Sequence, residues 1–442
     1  MSPTVQARLF KGVKDVLPEE LLARNQLMQT LVAVFERYGF GPLETPAMEY
    51  LDILLGKYGT EGDKLIYKLA YKGGETLALR YDLTVPLSRV VAMNPDLPMP
   101  FKRWQVQPVW RADRAQPAQG RFREFIQCDV DTVGTASLAA DAENVAVVHD
   151  GIRALGIDDF LVRINNRKLL AGIREWAGIA PAQEADLFRS IDKLDKIGLD
   201  GVRAELGKLD LPAEPVEKVL GVMEITGAPE EVLARAEATL AGSERAAEGV
   251  SELRELLEGV AALGVALDRM QIDLYLTRGL DYYTGPIYEV NLTSIEKFGS
   301  LAGGGRYDDL AGVYGNATVP ATGVSIGLSR VLSALRKLDL LKSRTTTSQV
   351  LVARLEDTPI AECLRICSEL RAGGIACETY YDPDRLKKQF QLAERKGIPI
   401  VALAGASELA AGTVNLKHLA RSEQVTVPRA EFVQKAAALL SS

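Results

Sequence analysis

The chain has 442 residues, of which 47% are hydrophobic and 25% are charged. This is the composition of an ordinary globular protein, and the length predicts about two to four domains. Basic residues number 52 and acidic residues 59, a formal net charge of −7. That balance excludes a chain that binds nucleic acid through bulk positive charge, although a local basic face stays open.

Residue types that commonly carry chemistry are sparse. The two histidines, His149 and His418, lie in opposite halves of the chain, which excludes a multi-histidine metal centre. The four cysteines include no C-x-x-C pair, so neither a disulfide framework nor a zinc ribbon is indicated, and Cys363 and Cys367 are predicted to be buried on one helix. The sequence has no run of ~18 apolar residues and no apolar segment at its start. It therefore predicts a cytoplasmic protein with no membrane span.

The first third of the chain predicts a helix followed by strands. Apolar residues at helical spacing predict a helix from Glu19 to about Tyr38, ended by Gly39. The segment LIYKLAYKGGETLALR alternates on both sides of two glycines and predicts a hairpin, and RYDLTVPLSRVVAM predicts a helix with a proline near its start. The segment FKRWQVQPVWRADRAQPAQGRFREFIQCDVDTVG then predicts two strands joined by a polar loop that carries arginines.

The composition and predicted secondary structure of the remaining chain change at two points. Residues 180–263 are rich in Glu, Ala, Leu and Lys and predict a helical insertion that serves as a lid or spacer. Strands are predicted to resume at DLYLTRGLDYYTGPIYEVNLTS and to continue to GVSIGLSRVLSALRKL, where a strand runs into a helix. After the polar segment KSRTTTSQ, strands and helices alternate at short spacing, which is typical of a separate α/β domain of about 95 residues.

Neither a P-loop nor a strand–G-x-G-x-x-G–helix unit occurs, so nucleotide binding by those two routes is not expected. Instead, three clusters combine arginines with carboxylates, tyrosines and glycines. The first is the loop that carries Arg111, Arg114, Arg121 and Arg123. Forked guanidinium groups suit a phosphate or a carboxylate, and a solvated charged hairpin is the alternative interpretation.

The second cluster, TRGLDYYTGPIYE, has Arg278 beside a glycine that lets a ligand approach the backbone. Because neighbouring side chains of a strand point to opposite faces, at most one of Tyr282 and Tyr283 is predicted to point into a given pocket. The third cluster, LAGGGRYDDL, contains three consecutive glycines. Their lack of side chains suits a strand that passes close to a ligand or to another backbone. In GVSIGLSRVLSAL, Arg330 near a helix start suits an anion. Each segment alone fits an ordinary turn or surface equally well.

The combination is more specific than its parts. YDLTVPLSR, the Arg111 loop, RGLDYYTG, GGGRYD and GLSR occur in this order, with a helical insertion before RGLDYYTG. The chain thereby resembles the histidyl-tRNA synthetase family of class II aminoacyl-tRNA synthetases over nearly its whole length. RYDLTVP and FREFIQCDVD resemble the family's eukaryotic-type branch.

The resemblance implies an α+β fold. Residues 1–340 are expected to form a mostly antiparallel catalytic sheet flanked by helices, with the helical insertion at about 180–263. A linker at 341–347 is expected to lead to an α/β anticodon-binding domain at 348–442.

The resemblance also implies that the chain activates L-histidine with ATP and Mg²⁺ and transfers it to tRNA(His), as a homodimer. Arg278 and Arg111 are then catalytic and face the α-phosphate from two sides. Residues implied in ATP binding are Arg111, Arg121, Phe125 and Arg330. Residues implied in histidine binding are Asp82, Thr84, Gln127, Asp131, Tyr282, Tyr283 and Tyr307, of which Asp131 and Tyr283 would read the imidazole. No protein-held metal is expected, since Mg²⁺ would arrive with ATP.

In the C-terminal segment, the resemblance implies tRNA binding by Arg385, Lys387 and Lys388, for which a solvated helix face is the alternative. A different class of function is also open. Relatives of this fold serve as a regulatory subunit of ATP phosphoribosyltransferase or as sensing domains, and these typically lack the C-terminal domain or the activation arginines. A class II synthetase for another amino acid is a further alternative.

Overall fold

The structure is a computed structural model that describes residues 6–58, 62–117, 120–209, 211–277, 282–295, 298–310, 312, 318–341 and 344–441. The chain divides into two compact units, which are described separately. The larger consists of Gln26–Leu341 and the residues up to Lys14, and the smaller of Lys342–Ser442 and Asp15–Asn25.

The larger unit is built on a wide sheet. Its strands, in chain order and within the described residues, are β1 (Gly41–Pro42), β2 (Met48–Tyr50), β3 (Lys68–Leu69), β4 (Leu77–Leu79), β5 (Phe101–Trp110), β6 (Glu124–Val133), β7 (Phe160–Asn166), β8 (Met270–Ile272), β9 (Pro286–Leu292), β10 (Ala302–Arg306) and β11 (Ala321–Gly327). Eight of these described strands form one sheet in the order β1-β5-β6-β11-β10-β9-β7-β8, and β2, β4 and β3 form a small second sheet. The pairs at the two edges, β1–β5 and β7–β8, are parallel and the inner pairs are antiparallel. This confirms the predicted mostly antiparallel α+β architecture.

A long hairpin formed by β5 and β6 supplies the second and third strands of the sheet. The two strands pair without interruption from Phe101 opposite Val133 to Trp110 opposite Glu124, and the arginine-bearing loop connects them as predicted. β6 also pairs with β11 on its other edge, so most of β6 is buried. A strand buried on both edges and both faces has no solvent to hydrate its polar side chains, and each of these therefore needs a partner or a ligand.

Helices cover the sheet. The described helices outside residues 180–263 that lie wholly in the larger unit are Leu51–Leu54, Thr84–Met93, Leu138–Ala154, Arg167–Trp176 and Leu328–Lys337, and the helix Pro18–Arg37 belongs to this unit from Gln26 onward. The first helix is followed by Gly39 with φ +79°, a left-handed conformation that suits glycine and ends a helix. Leu138–Ala154 buries most of its apolar residues, and the Ser137 side chain caps it by accepting a hydrogen bond from the backbone N–H of Ala139 at 3.3 Å.

The segment predicted to be a helical insertion contains helices. Within the described residues of 180–263 they are Glu184–Ile191, Leu194–Leu206, Ala213–Met223, Pro229–Thr239 and Glu244–Ala262. Leu194–Leu206 is interrupted at Gly198, whose φ of +70° breaks the helical path. The longest of the five, Glu244–Ala262, packs against the helices Arg167–Trp176 and Leu138–Ala154, which anchors the segment to the sheet-covering layer.

The smaller unit alternates strands and helices. Its described strands are β12 (Val350–Val352), β13 (Cys377–Thr379), β14 (Ile400–Leu403), β15 (Thr413–His418) and β16 (Glu423–Pro428), in the sheet order β13-β12-β14-β15-β16. Its described helices are Ile360–Ala372, Leu386–Lys396, Ala406–Ala411 and Phe432–Ser441. Cys363 and Cys367 are buried in the core of this unit, as the sequence predicted.

Among the described residues, no helix is both long enough and apolar enough to span a membrane.

Candidate active site

A cavity of about 360 Å³ lies over the middle of the large sheet, within the range of ordinary small-molecule sites. The sequence-predicted residues that line it are Asp82, Thr84, Arg111, Phe125, Gln127, Asp131, Tyr282, Tyr283, Tyr307 and Arg330. Arg121 does not line the cavity; it is exposed and lies opposite Gln116 in an isolated bridge. Arg278 lies outside the described residues.

Strand β6 supplies one wall of the cavity. Gln127, Asp129 and Asp131 are two residues apart, so the alternation of a strand directs all three side chains to one face, and all three line the cavity. Each is at least nine-tenths buried. The strand therefore presents an amide and two carboxyl groups to whatever fills the space.

Tyr282 and Tyr283 both line the cavity, so the prediction that at most one of them could do so is wrong. Their ring centroids are 5.0 Å apart in an edge-to-face arrangement. Strand β9 begins only at Pro286, so the two tyrosines precede the pleated backbone and are not bound by its alternation. The ring of Tyr307 is 5.7 Å from that of Tyr282 and extends the same aromatic wall.

Asp131, on the β6 wall of the cavity, is held from two sides. The hydroxyl of Tyr307 donates a short hydrogen bond to Oδ1. Nη2 of Arg103, a side chain with 0% exposure, lies 2.8 Å from Oδ2, an ion pair by distance whose N–H does not align as a hydrogen bond. A Cβ atom at Gly323, the residue opposite on β11, would overlap Oδ1, so the carboxyl group packs against bare backbone. Burial raises the pKa of Asp131 above its usual value, and Arg103 opposes that rise.

Asp82 lies just before the helix Thr84–Met93. Its Oδ1 accepts hydrogen bonds from the Tyr58 hydroxyl at 3.0 Å and from the backbone N–H of Val85 at 3.1 Å. Burial raises the pKa of Asp82, and the Val85 hydrogen bond and Arg111 partly offset this. The carboxyl group is thus fixed in direction while Oδ2 faces no protein donor within the described residues.

Two arginines, Arg111 and Arg330, also line the cavity. Arg111 donates from Nε to the Tyr81 carbonyl at 3.0 Å, and its guanidinium carbon lies 4.4 Å from the Tyr81 ring and 5.2 Å from the Phe125 ring. Arg330 donates from Nη1 to the Ser300 carbonyl at 3.1 Å. Stacking on aromatic faces holds Arg111 in place while leaving N–H groups for an anion, which is how arginine binds phosphate.

The polar atoms that lack partners describe the complementary ligand. Within the described residues, no hydrogen-bond donor reaches Asp82 Oδ2, Gln127 Oε1 or Asp129 Oδ1, and all three atoms are buried. A buried acceptor without a donor costs about 1–3 kcal/mol, so a ligand that brings N–H groups recovers that energy. The cavity is therefore suited to a molecule that carries both several N–H donors and an anionic group.

Sequence reasoning missed Tyr58, Arg103, Asp129 and Ser325. Gln127 donates from Nε2 to Ser325 Oγ at 2.8 Å, and Ser325 hydrogen-bonds to the carboxyl group of Asp129. Arg103 could not be recognised because its burial depends on the pairing of β5 with β6. Asp129 carried a usable signal, since it lies midway between the predicted Gln127 and Asp131 on the same face of one strand.

In the smaller unit, Arg385, Lys387 and Lys388 are exposed at the start of the helix Leu386–Lys396. Lys388 pairs with Asp384 at 2.9 Å. The start of a helix disfavours positive side chains and favours bound anions, so three cations at this position suit an anionic partner better than they suit the helix.

Comparison with known proteins identifies the family. A family model described as "Histidyl-tRNA synthetase" matches residues 12–331, and one described as "Anticodon binding domain" matches residues 349–439. The chain is 43% identical to "Histidine--tRNA ligase" of Gloeobacter violaceus and 43% identical to that of Aeropyrum pernix, in each case over 98% of both chains. Its structure matches a crystal structure of histidyl-tRNA synthetase from Nostoc sp. PCC 7120 with a TM-score of 0.86 and 36% identity, covering 98% of this chain and 100% of the other. The chain belongs to the histidyl-tRNA synthetase family, whose members are class II aminoacyl-tRNA synthetases.

Proposed function

We propose that this chain activates L-histidine with ATP to histidyl-adenylate and transfers the histidyl group to the 3′ end of tRNA(His). The observation that carries the proposal is that one cavity combines buried acceptors without donors among the described residues with two arginines, Arg111 and Arg330. Histidine brings N–H groups from its ammonium and its ring, and ATP brings the phosphates. A cavity of this kind aligns the two so that a carboxylate oxygen can attack the α-phosphorus.

The histidine end is assigned by its acceptors. Asp82, Thr84 and Gln127 are proposed to bind the α-ammonium group, which offers three N–H donors. The resemblance assigns the imidazole to Asp131 and Tyr283, with Tyr282 and Tyr307 as the surrounding wall. Asp131 beside the Tyr307 hydroxyl and the edge-to-face tyrosines supports a planar ring with nitrogen on two sides. A site that pairs each ring nitrogen can reject analogues by roughly 10⁴–10⁵.

The ATP end is assigned by its cations. Arg111 is proposed to bind the α-phosphate and the histidine carboxylate, Arg330 the γ-phosphate, and Phe125 the adenine. Arg278 is proposed to face the α-phosphate from the other side, and Arg121 to bind the outer phosphates when ATP is present. Negative charge grows on the α-phosphoryl oxygens as the carboxylate attacks, so fixed arginines there lower the barrier. ATP would enter as its Mg²⁺ complex, with the metal as part of the substrate.

The remaining assignments concern the binding partners of the chain, its domain bounds, its cellular location and its branch of the family. The basic residues Arg385, Lys387 and Lys388 are proposed to contact tRNA phosphates. The catalytic domain is proposed to span residues 1–340 and the anticodon-binding domain residues 348–442. The protein is proposed to be cytoplasmic. A homodimer is supported by exposed apolar side chains on and beside the small sheet: Met48 is 57% exposed and Tyr71 58%. Light scattering of the purified protein tests that state directly. The segments RYDLTVP and FREFIQCDVD support a proposed place in the eukaryotic-type branch of the family. The two relatives compared above are bacterial and archaeal.

A regulatory paralogue is the alternative function. Such proteins typically lose the activation arginines or the C-terminal domain, whereas Arg111 and Arg330 line the cavity here and residues 349–439 match an anticodon-binding domain. These retained features favour an enzyme.

Histidine-dependent exchange of pyrophosphate into ATP tests the proposal. Exchange with histidine, and none with the other amino acids, is expected of the purified chain. Arg278→Ala and Arg111→Ala should each abolish exchange, while Arg153→Ala, at an exposed position outside the cavity, should not. A folded protein that binds histidine without exchange would favour the regulatory function instead.

A further inference from the structure

One buried tyrosine contacts side chains that are assigned to both substrates. Tyr58 follows the helix Leu51–Leu54, is 5% exposed, and is not among the described residues that line the cavity. Its hydroxyl donates to Asp82 Oδ1 at 3.0 Å, and its ring centroid lies 4.5 Å from that of Tyr81. A buried phenol takes a hydrogen-bond partner in any core, so the meaning of these contacts depends on what Asp82 and Tyr81 hold in turn.

The hydroxyl of Tyr58 acts on a carboxyl group that lines the cavity. Asp82 Oδ1 accepts hydrogen bonds from Tyr58 and from the backbone N–H of Val85, the latter at 3.1 Å, while no donor among the described residues reaches Oδ2. Two donors on one oxygen set the rotation of the group and leave the other oxygen for a ligand. Burial raises the pKa of Asp82, whereas the hydrogen bonds from Val85 and Tyr58 oppose that rise. They therefore favour the ionised form, which pairs with an ammonium group.

The ring of Tyr58 acts on Tyr81, the residue before Asp82. The two rings are tilted by 41° at the spacing of a favourable aromatic pair. Tyr81 in turn holds Arg111, because its ring lies 4.4 Å from the guanidinium carbon and its carbonyl accepts a hydrogen bond from Nε at 3.0 Å. Tyr58 thus supports the aromatic side chain against which an arginine of the cavity is stacked.

We propose that Tyr58 is a positioning residue that serves the two substrates through different atoms. Its hydroxyl directs Asp82 toward the ammonium group of histidine. Its ring supports Tyr81, against which Arg111 is stacked when it binds the α-phosphate of ATP. The inference rests on the proposed function and deepens it, because it adds a residue outside the cavity whose two parts act on different substrates.

Tyr58→Phe tests the hydroxyl alone, since the ring is kept. In the pyrophosphate exchange assay, the KM for histidine should rise by about 10-fold, as expected when a hydrogen bond to a charged group is lost, and the KM for ATP should stay within about twofold of wild type. Tyr67→Phe is the matched control. It removes a buried hydroxyl that has no hydrogen-bond partner among the described residues, so both KM values should stay within about twofold of wild type.

Tyr58→Leu removes the ring as well as the hydroxyl. The KM for histidine should rise as in Tyr58→Phe, and the KM for ATP should now rise by about 2- to 10-fold, the range that corresponds to the loss of one aromatic pair. A purely structural role would not produce this pattern, because a smaller folded fraction lowers the apparent kcat and leaves both KM values unchanged.

The outcomes separate this inference from the proposed function. If the wild-type chain shows no histidine-dependent exchange, the proposed function fails. If wild-type exchange is normal but Tyr58→Phe leaves the KM for histidine unchanged, or raises both KM values equally, the role of the hydroxyl is overturned. If Tyr58→Leu raises the KM for ATP no more than Tyr58→Phe does, the role of the ring is overturned.

Discussion

Replacing Arg103 by methionine is expected to destabilise the larger unit by about 3–5 kcal/mol at pH 8, the usual result of removing one partner from a buried pair. Arg103 Nη2 and Asp131 Oδ2 are 2.8 Å apart, with side-chain exposures of 0% and 4%. Two unit charges with centres ~4 Å apart at an effective dielectric constant of ~20 interact by ~4 kcal/mol, which agrees with that range. Methionine fills most of the volume, so the loss reports charge and not a cavity.

The loss should depend on pH in a definite direction. In the wild-type fold, the pKa of Asp129 is raised to about 7 and that of Asp131 is raised as well, in both cases chiefly by burial. A carboxyl group with a raised folded-state pKa stabilises the fold when protonated, and this contribution disappears as the pH rises from about 4 through about 7. Without Arg103 both pKa values rise further. The Arg103→Met variant should therefore be much closer to wild type at pH 5.5 than at pH 8.

Urea unfolding followed by tryptophan fluorescence measures this loss. All three tryptophans, Trp104, Trp110 and Trp176, lie in the larger unit, so the signal reports that unit alone. Arg153→Met, at an exposed pair, is the control and should shift stability by no more than about 0.5 kcal/mol. A loss below about 1 kcal/mol at pH 8, or an equal loss at the two pH values, would refute the reasoning.

Three further predictions concern function. Gly323→Ala places a Cβ on a carboxyl oxygen of the pocket and 2.8 Å from the Val130 carbonyl, so histidine-dependent exchange should fall by at least ~10²-fold. Gly221→Ala is the control and should retain wild-type activity, because among the described residues its Cβ meets nothing within 4 Å apart from its chain neighbours and its own helix backbone. Arg330→Ala should raise the KM for ATP by about 10- to 100-fold with little change in the KM for histidine, measured by varying each substrate in the exchange assay. Lys387→Glu should weaken tRNA binding and reduce its logarithmic salt slope by about 1 or more, without changing exchange measured in the absence of tRNA. Equal effects on both KM values, or an unaltered salt slope, would contradict the last two.

Local sequence signals predicted the elements well where one segment determines its own structure. The helix predicted from Glu19 to about Tyr38 is observed as Pro18–Arg37 and is followed by the predicted glycine. The hairpin around two glycines forms β3 and β4, and the arginine loop connects β5 and β6. Periodicity and glycine positions suffice for such elements because the physical cause lies within a few residues.

The site required information that no single segment holds. Arg103 reads as an ordinary strand residue until β5 pairs with β6 and sets it opposite Asp131. The rule of alternation misplaced Tyr282 and Tyr283 because the strand starts after them. Tyr58 reaches Asp82 across 24 residues of chain, a contact that depends on the packed fold. Motif resemblance found ten of the lining residues, whereas Arg103 and Tyr58 became visible only through register and burial.

The floor of the cavity has a consequence for how resistance to inhibitors could arise. Strand β10 carries Gly303, Gly304 and Gly305, and a Cβ at Gly304 would collide with the backbone of Gly323 and with the ring of Tyr288. A compound that contacts the main chain at Gly304 meets atoms that substitution cannot alter and that no larger side chain at this position can shield without disrupting the sheet. Escape variants selected against such a compound should therefore fall on the tyrosines and carboxyl groups of the walls, where each change also weakens the binding of histidine.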